Sequence, residues 1–536
     1  MDTASNQLHP VNGRRPVPSL LRNSPAFVLL AIAMADAGRF VDSDLWYHLR
    51  TGQIILSTRH LIRYDPYSYT AFGHLWRNHE WLSQVVLAAF YNSMGVFGLK
   101  MFKFLCAAAI VSLLALGLAE TGAPPRVQRG VLALIAISLV PQIQFRPQLA
   151  TFVLLSLVLA LLARDTYRSP PRLWPLIPIF ALWANLHGGY LIGLTAMAIY
   201  TTVVAVDELR RGQGWRRGGR LAAITLGCAL ATLANPDGIG IWHTVALSVT
   251  NPVIRKGISE WQPILATIGF QWHLYAPGIL IFLFPLALFV ALAVSVLLSP
   301  AWDDAGLVAI AALFTAGTFV SVRNMALAVI ALSIPLARHV GVALRRRSAR
   351  VAVSQAPEET TPNDDPRVVD ADWRFNPTIG TALAVALAVG TGLFSNYLKL
   401  DLQYPVGAIA FMKAHNLHGN LLCDYDWGNY VVWHTAPESK VFIDGRCELV
   451  YPTKVITDYL EFDFASPRAE SVLSGYPHDF VLLPPDSPGY AVVSKNPNWK
   501  VLYRDSASVL FARSTSPAAR LPGVPVTGQA IRGFFP

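Results

Sequence analysis

The segment Asp42-Ser43-Asp44-Leu45-Trp46-Tyr47-His48-Leu49-Arg50-Thr51-Gly52 packs carboxylates, an imidazole, a guanidinium and aromatic rings more densely than any other stretch of the chain. A helix starting near Asp44 places Asp44 and His48 four residues apart on one face and turns Leu45, Trp46 and Leu49 toward a bilayer surface. Such a segment is expected to be an amphipathic helix lying in a membrane interface. The alternation Asp42-x-Asp44 has two readings: oxygen ligands for a divalent cation, Mg or Mn, or a helix cap with acids near the positive end of the dipole. A second amphipathic helix is expected after Asn78, with His79, Glu80 and Trp81 in its first turn, where Glu80 also suits the dipole.

Outward from this segment the chain is apolar. Of its 536 residues 53% are apolar and only 14% charged, whereas a soluble domain carries roughly 25% charged residues. With a mean hydropathy of +0.41, this composition excludes an ordinary soluble protein. Crossing a hydrocarbon core takes about 20 residues of helix. Eleven candidate spans lie near 23–41, 96–119, 128–145, 148–164, 173–187, 190–206, 220–235, 275–298, 305–322, 324–342 and 377–397. The expected fold class is therefore an α-helical polytopic membrane protein of about 11 transmembrane helices. Arg14, Arg15 and Arg22 precede the first span and Ala33-Met34-Ala35 resembles a signal-peptidase site, so removal of that span is an alternative.

Basic residues fix an orientation. One set of alternate connections holds Arg126 and Arg129, Arg164 to Arg172, Arg210 to Arg220, and Arg338 to Arg374; the opposite short turns hold only Arg146, Arg255, Lys256 and Arg323. By the positive-inside rule the amino terminus is cytoplasmic and the carboxyl terminus outside. The net charge of +10 is thus mostly topology, which disfavours nucleic-acid binding. The expected organisation is a cytoplasmic segment 1–22, a transmembrane module 23–342 with outer loops at about 42–95 and 236–274, a disordered linker 343–376, a last span 377–397, an outer domain 398–513 and a flexible tail 514–536. In a bacterium this puts the chain in the inner membrane with a periplasmic carboxyl-terminal domain.

That last domain reads as small and α/β. Asn420 to Cys423, Lys440 to Ile443, Asp479 to Leu483, Trp499 to Tyr503 and Ser508 to Ala512 read as strands, with helices at Tyr404 to His415 and Lys454 to Phe462. Cys423 and Cys447 both fall in it, as a disulfide or as two unpaired core thiols.

The ionisable residues left over gather at the outer helix ends: Asp42, Asp44 and His48; His79 and Glu80; Arg146; Asn185 and His187; Asn235 and Asp237; Glu260; Arg323 and Asn324. Single polar residues in turns need no explanation, but carboxylates, imidazoles and arginines together beside hydrocarbon are costly unless paired or used. Arg146 and Arg323 suit a phosphate, which a guanidinium fork binds bidentately; the alternatives are snorkelling to the membrane surface or pairing with a carboxylate such as Glu260 or Asp237. Transfer from a lipid phosphate would use one carboxylate as general base and cations on the departing phosphate.

A first outer loop that follows the first helix, opens with acids and holds amphipathic helices resembles the GT-C superfamily of polyprenyl-phosphate-dependent glycosyltransferases. D-S-D-L-W-Y-H-L-R-T-G, D-P-Y-S-Y-T (Asp65 to Thr70), N-H-E-W-L-S (Asn78 to Ser83), W-A-N-L-H-G-G (Trp183 to Gly189), N-P-D-G (Asn235 to Gly238), E-W-Q-P (Glu260 to Pro263) and V-F-I-D-G-R (Val441 to Arg446) resemble motifs of a group of bacterial membrane proteins within it. Similarity to the oligosaccharyltransferase catalytic subunit is looser. Asp42 or Asp44 would match its first-loop acid, Glu260 its catalytic loop Glu, and Asp424 to Tyr430, with Asp426 and Trp427, part of its W-W-D-Y-G acceptor motif. The paired tryptophans and a second D-x-D are missing, so the acceptor type does not carry over.

The resemblance implies a GT-C-like inverting transferase that moves a sugar from a polyprenyl-phosphate lipid to a glycan, lipid or protein acceptor. Asp44 would act as base, Asp42 would assist it or bind metal, His48 would orient the acceptor or phosphate, Arg146 and Arg323 would neutralise the lipid phosphate, and Glu260 would be a second carboxylate. Asn324, His79, Glu80, His187, Asp426 and Trp427 complete the expected substrate contacts. The alternative is a non-catalytic membrane scaffold or partner-binding subunit on a degenerate GT-C fold; a transporter would hold its ionisable groups at mid-membrane.

Overall fold

The computed structural model describes residues 40–168, 170–250, 259–268, 280–299, 302–354, 398–400, 404–522 and 534–535. Nearly all of the expected first span, the last span 377–397, and linker residues 355–376 lie outside them. Phe40–Val41 at the end of that first span is a short strand, β1.

Apolar segments separated by polar turns give a helical bundle. Its helices are α1 Leu45–Thr58, α2 Trp81–Glu120, α3 Pro125–Leu139, α4 Gln148–Tyr167, α5 Leu176–Leu186, α6 Tyr190–Arg210, α7 Arg216–Ala231, α8 Gly240–Thr250, α9 Leu280–Leu298, α10 Ala305–Val320 and α11 Met325–Ser354. Four helices among the described residues are long and apolar enough to cross a membrane: α2, α4, α6 and the helix containing Met325–Arg350. α5, α9 and α10 are shorter apolar helices. α2 is two helices in one: Gly95 at φ 60° and ψ −143° breaks it, a conformation that glycine reaches without a Cβ penalty. The first half packs with α1, and the second half is the expected span 96–119.

The expected disordered linker begins later than its charge suggested, because α11 runs on to Ser354. Leu, Ala and Arg are all strong helix formers, and Arg345 donates to the Gly122 carbonyl at 3.0 Å. Segment 236–274 is likewise not all loop, since it contains α8.

After β2 (Leu398–Leu400) come α12 Val406–Ala414, β3 Asn420–Cys423, α13 Tyr425–Thr435, β4 Lys440–Val441, α14 Thr453–Asp463, α15 Ala469–Gly475, β5 Phe480–Leu483, α16 Pro488–Ser494, β6 Trp499–Arg504 and β7 Val509–Arg513. They build a five-stranded sheet in the order β4-β3-β5-β7-β6. β3 is parallel to β4 and β5, and β7 is antiparallel to β5 and β6. The strands form where alternation placed them. α13 was unexpected: its Tyr, Trp and Val residues favour strands, yet the Asp424 side chain caps it by accepting from the Asp426 N–H. The tail is more ordered than its Pro and Gly content suggested. Pro517–Arg520 form a 3₁₀ turn, and Phe534–Phe535 (β8) pairs with β2, which also pairs with β1.

There are two cores. One is inside the bundle; the other is shared between the first loop and the carboxyl-terminal domain. Leu45, Trp46 and Leu49, expected to face a bilayer, are fully buried in the second core. Trp46 stacks edge-on against Tyr404 and Tyr430 at 5.7 and 5.0 Å. The apolar face of α1 is a docking face because a folded domain, with greater packing density than lipid, covers it. All four cysteines, Cys423 and Cys447 included, are free thiols.

Candidate functional site

Arg146, in the turn that enters α4, gathers three carboxylates from three parts of the chain. Its Nε lies 2.7 Å from Asp42, its Nη1 2.7 Å from Glu260, and its Nη2 3.5 Å from Asp44. The turn before α1 holds the two aspartates, and the Asp42 carboxylate also accepts the Asp44 backbone N–H at 2.9 Å. Glu260 sits on the 3₁₀ turn Ser259–Trp261, anchored where Ser321 Oγ donates to its carbonyl at 3.0 Å. Arg323 is exposed and stacks on the Trp261 ring at 5.0 Å.

One cation among three carboxylates leaves negative charge in excess. Burial pushes the Asp44 carboxyl up to about 8; Arg146 pulls it down, while Asp42, Glu260 and Glu80 add to the rise. For Glu260, burial would raise the carboxyl, but Arg146 and Arg323 together bring it below the ordinary range. Two acids in one cluster are thereby driven apart, with Asp44 titrating near neutral pH and Glu260 ionised. This separation is the arrangement that acid–base chemistry uses.

Beside this cluster Glu80, the residue preceding α2, faces three imidazoles. His187 Nε2 lies 3.6 Å, His79 Nε2 3.9 Å and His48 Nε2 4.0 Å from its carboxylate. Burial keeps His48 and His187 neutral, lowering both well below the usual imidazole value. Thr151 Oγ1 lies 2.8 Å from His187 Nδ1 and Gln84 Nε2 lies 3.4 Å from His48 Nδ1. Glu80, expected as a substrate contact or a dipole partner, is thus the hub of a second polar group.

The donor set does not suit a divalent cation on Asp42 and Asp44. One Asp42 oxygen accepts the Asp44 N–H and the other is ion-paired with Arg146 at 2.7 Å, so Arg146 stands where the cation's charge would be. Among the described residues no group of three His, Cys, Asp or Glu side chains has metal-holding geometry.

The carboxyl-terminal domain reaches the site through α13. Asn429 Nδ2 donates to the Asp44 carboxylate at 3.1 Å, and Asn429 Oδ1 accepts the Gly445 N–H at 3.1 Å. Asn429 lay unremarked in the Asp424 to Tyr430 string, since no sequence pattern says which turn of the domain meets Asp44. Asp426 and Trp427 line a cavity of about 450 Å³ with Asp424, Asp486 and Ser506. It opens beyond the carboxyl ends of the parallel strands β3 and β5, where open α/β sheets place ligands. Burial raises Asp424 to about 7, helped by Asp426 and Asp463; burial and then Asp42 raise Asp426.

The structure therefore brings together Asp42, Asp44, His48, His79, Glu80, Arg146, His187 and Glu260, with Arg323 at the edge and Asp426 within electrostatic reach. Asn324 is elsewhere employed, donating to the Gly317 carbonyl at 2.9 Å to close the α10–α11 turn.

No family profile and no curated protein match the sequence. Solved structures do. The archaeal oligosaccharyltransferase AglB from Archaeoglobus fulgidus, in complex with an inhibitory peptide and a dolichol-phosphate, aligns with a TM-score of 0.50 at 12% identity, over 87% of this chain and 70% of that one. The A. fulgidus oligosaccharyltransferase tethered with an acceptor peptide containing the NVT sequon gives 0.50 at 12% identity, over 86% and 69%. ArnT from Cupriavidus metallidurans bound to undecaprenyl phosphate gives 0.45 at 13% identity, over 94% and 99%. The chain therefore shares its fold with the oligosaccharyltransferase of A. fulgidus, and four of its described helices are long and apolar enough to cross a membrane.

Proposed function

We propose that, on this GT-C-like fold, the chain transfers a sugar from a polyprenyl-phosphate-linked donor to an acceptor at the outer face of a bacterial inner membrane, with its amino terminus cytoplasmic and its carboxyl-terminal domain periplasmic. The observation that carries this is Asp44: a carboxyl tuned near neutral pH inside an arginine–carboxylate cluster at one end of an apolar bundle. Its base form takes the proton of an acceptor hydroxyl or amide while the acceptor atom bonds to the anomeric carbon. The bond from that carbon to the phosphate oxygen breaks with inversion, and the polyprenyl phosphate leaves carrying the electron pair. Asp42 and Glu260 hold Arg146, whose charge keeps the Asp44 carboxylate accessible near neutral pH. Arg323, stacked on Trp261 and facing outward, neutralises the leaving phosphate. The cavity at Asp426 and Trp427 receives the acceptor.

Mass spectrometry of lipids co-purifying with the detergent-extracted protein tests this: a polyprenyl-phosphate species present in the wild type and lost in Arg323→Ala supports it. Unimpaired transfer by an Asp42→Asn, Asp44→Asn double variant would sink it. The second reading, a non-catalytic scaffold, draws on the completeness of the Arg146 ion pairs and expects no such lipid and tolerance of Asp44→Ala.

A further inference from the structure

We infer that the carboxyl-terminal domain completes the reactive centre: Asn429, seated by the Ile443–Arg446 turn, is a positioning residue that orients the Asp44 carboxyl. This rests on the reading of Asp44 as the base.

The geometry determines the amide. Asn429 is 1% exposed. Its Oδ1 is committed to the Gly445 N–H, so its NH2 must be the group directed at Asp44 Oδ1. The approach is close on every side. A Cβ on Gly445 would lie 2.3 Å from Asp44 Oδ1 and 2.4 Å from Asn429 Nδ2, and a Cβ on Gly428, one turn position before Asn429, would lie 2.5 Å from the Ile443 carbonyl oxygen. The turn itself is fixed by its neighbours, because Asp444 and Arg446 on either side of Gly445 are wholly buried and paired with each other through two hydrogen bonds of 2.9 and 2.6 Å. The V-F-I-D-G-R stretch thus has a purpose that no residue in it fulfils alone. Its ion pair holds a glycine backbone, the glycine holds an amide, and the amide holds the carboxyl. A hydrogen bond to the ionised form of a carboxyl favours that form.

Asp44 is also faced by Arg146, Asp42, Glu260 and Glu80, so its protonation must be read directly. Dicyclohexylcarbodiimide attacks protonated carboxyls in apolar surroundings, and peptide mass spectrometry locates the adduct in the intact detergent-solubilised protein without requiring any donor or acceptor. In the wild type, Asp44 labelling should decline through a midpoint near pH 8. Asn429→Leu removes the donor and should move the midpoint up by about one pH unit, giving about fivefold more labelling at pH 9. Asn429→Asp, isosteric and still able to accept the Gly445 N–H, replaces a donor by a carboxylate and should move it further the same way. A folded Asn429→Leu or Asn429→Asp protein whose Asp44 profile overlays the wild type overturns the inference. That outcome concerns Asn429 alone, whereas loss of the lipid or tolerance of Asp44 changes would concern the transferase reading.

Discussion

Two arginines in this protein each gather carboxylates, and they do opposite things. Arg446 pairs with Asp444 and, at 2.6 Å, with Asp65, all three fully buried, and lies over the rings of Tyr67 and Trp76 at 4.8 and 4.7 Å. Its carboxylates are satisfied several times over. Asp65 accepts the Tyr67 and Ser68 N–H groups at 3.0 and 3.1 Å, and Asp444 accepts the Arg446 N–H and the Tyr451 hydroxyl at 3.0 and 2.9 Å. Arg146 has three carboxylates and far fewer donors to share among them. Among the described residues Asp44 receives one side-chain amide and a guanidinium at 3.5 Å. Charge alone does not separate a clamp from a reactive site; the number of donors left for each carboxylate does. Where donors are plentiful the cluster is scaffold. Where they are scarce one acid keeps its proton into the neutral range.

The largest effect should come from breaking the clamp. Arg446→Met leaves Asp444 and Asp65 buried without their cation, a change that typically costs about 3–5 kcal/mol. Thermal unfolding followed by size-exclusion chromatography in detergent should show a large loss of folded protein. A wild-type melting temperature would mean that the cluster does not join the first loop to the carboxyl-terminal domain.

Arg146→Met should behave differently, because its carboxylates lie closer to solvent and can take up protons. The variant should melt close to the wild type at pH 5 and clearly below it at pH 8, where the Glu260 carboxyl has lost the Arg146 cation that favours its ionised form. Equal losses at both pH values would make Arg146 a second clamp and erase the distinction.

Asp44→Asn isolates the excess charge. The folded carboxyl titrates near 8 against an ordinary value near 3.8, so between those limits the folded state binds more protons than the unfolded one. Stability from this group is therefore full below about pH 4 and is lost as pH rises toward 8. Asp44→Asn should remove that decline and melt above the wild type at pH 8.5. A parallel pH dependence in both proteins would place the Asp44 carboxyl in the ordinary range.

The contrast also separates what was legible in the sequence. Asp42, Asp44, Glu80, Arg146, His187 and Glu260 could be collected because hydropathy sets their depth, and ionisable groups at a single depth are conspicuous. The strands of the small domain were legible through alternation. The side on which α1 buries its apolar face was not, since Leu45, Trp46 and Leu49 suit lipid or protein equally, and the covering domain lies more than 350 residues along the chain. Asp65, Asp444 and Arg446 were visible as motifs but their pairing was not, because an ion pair across such separations leaves no local pattern. Arg146 was open to phosphate or carboxylate, and the three acids that gather around it come from parts of the chain that share no local pattern.

The smallest effect tests whether anything covalent shares the clamp's work. Cys447 follows Arg446 directly and Cys423 ends β3, both buried and both free. If a bridge held them, it would fasten the turn carrying Asp444, Gly445 and Arg446, and reduction would cost on the order of 2–5 kcal/mol. With the thiols free, an excess of dithiothreitol should leave the melting temperature unchanged to within about 1 °C, and Cys447→Ala should cost less than Arg446→Met because it removes one small apolar group. A large drop on reduction would transfer the turn's rigidity from the ion pair to a staple. Arg446 and Arg146 would then differ by what surrounds them rather than by how their carboxylates are satisfied.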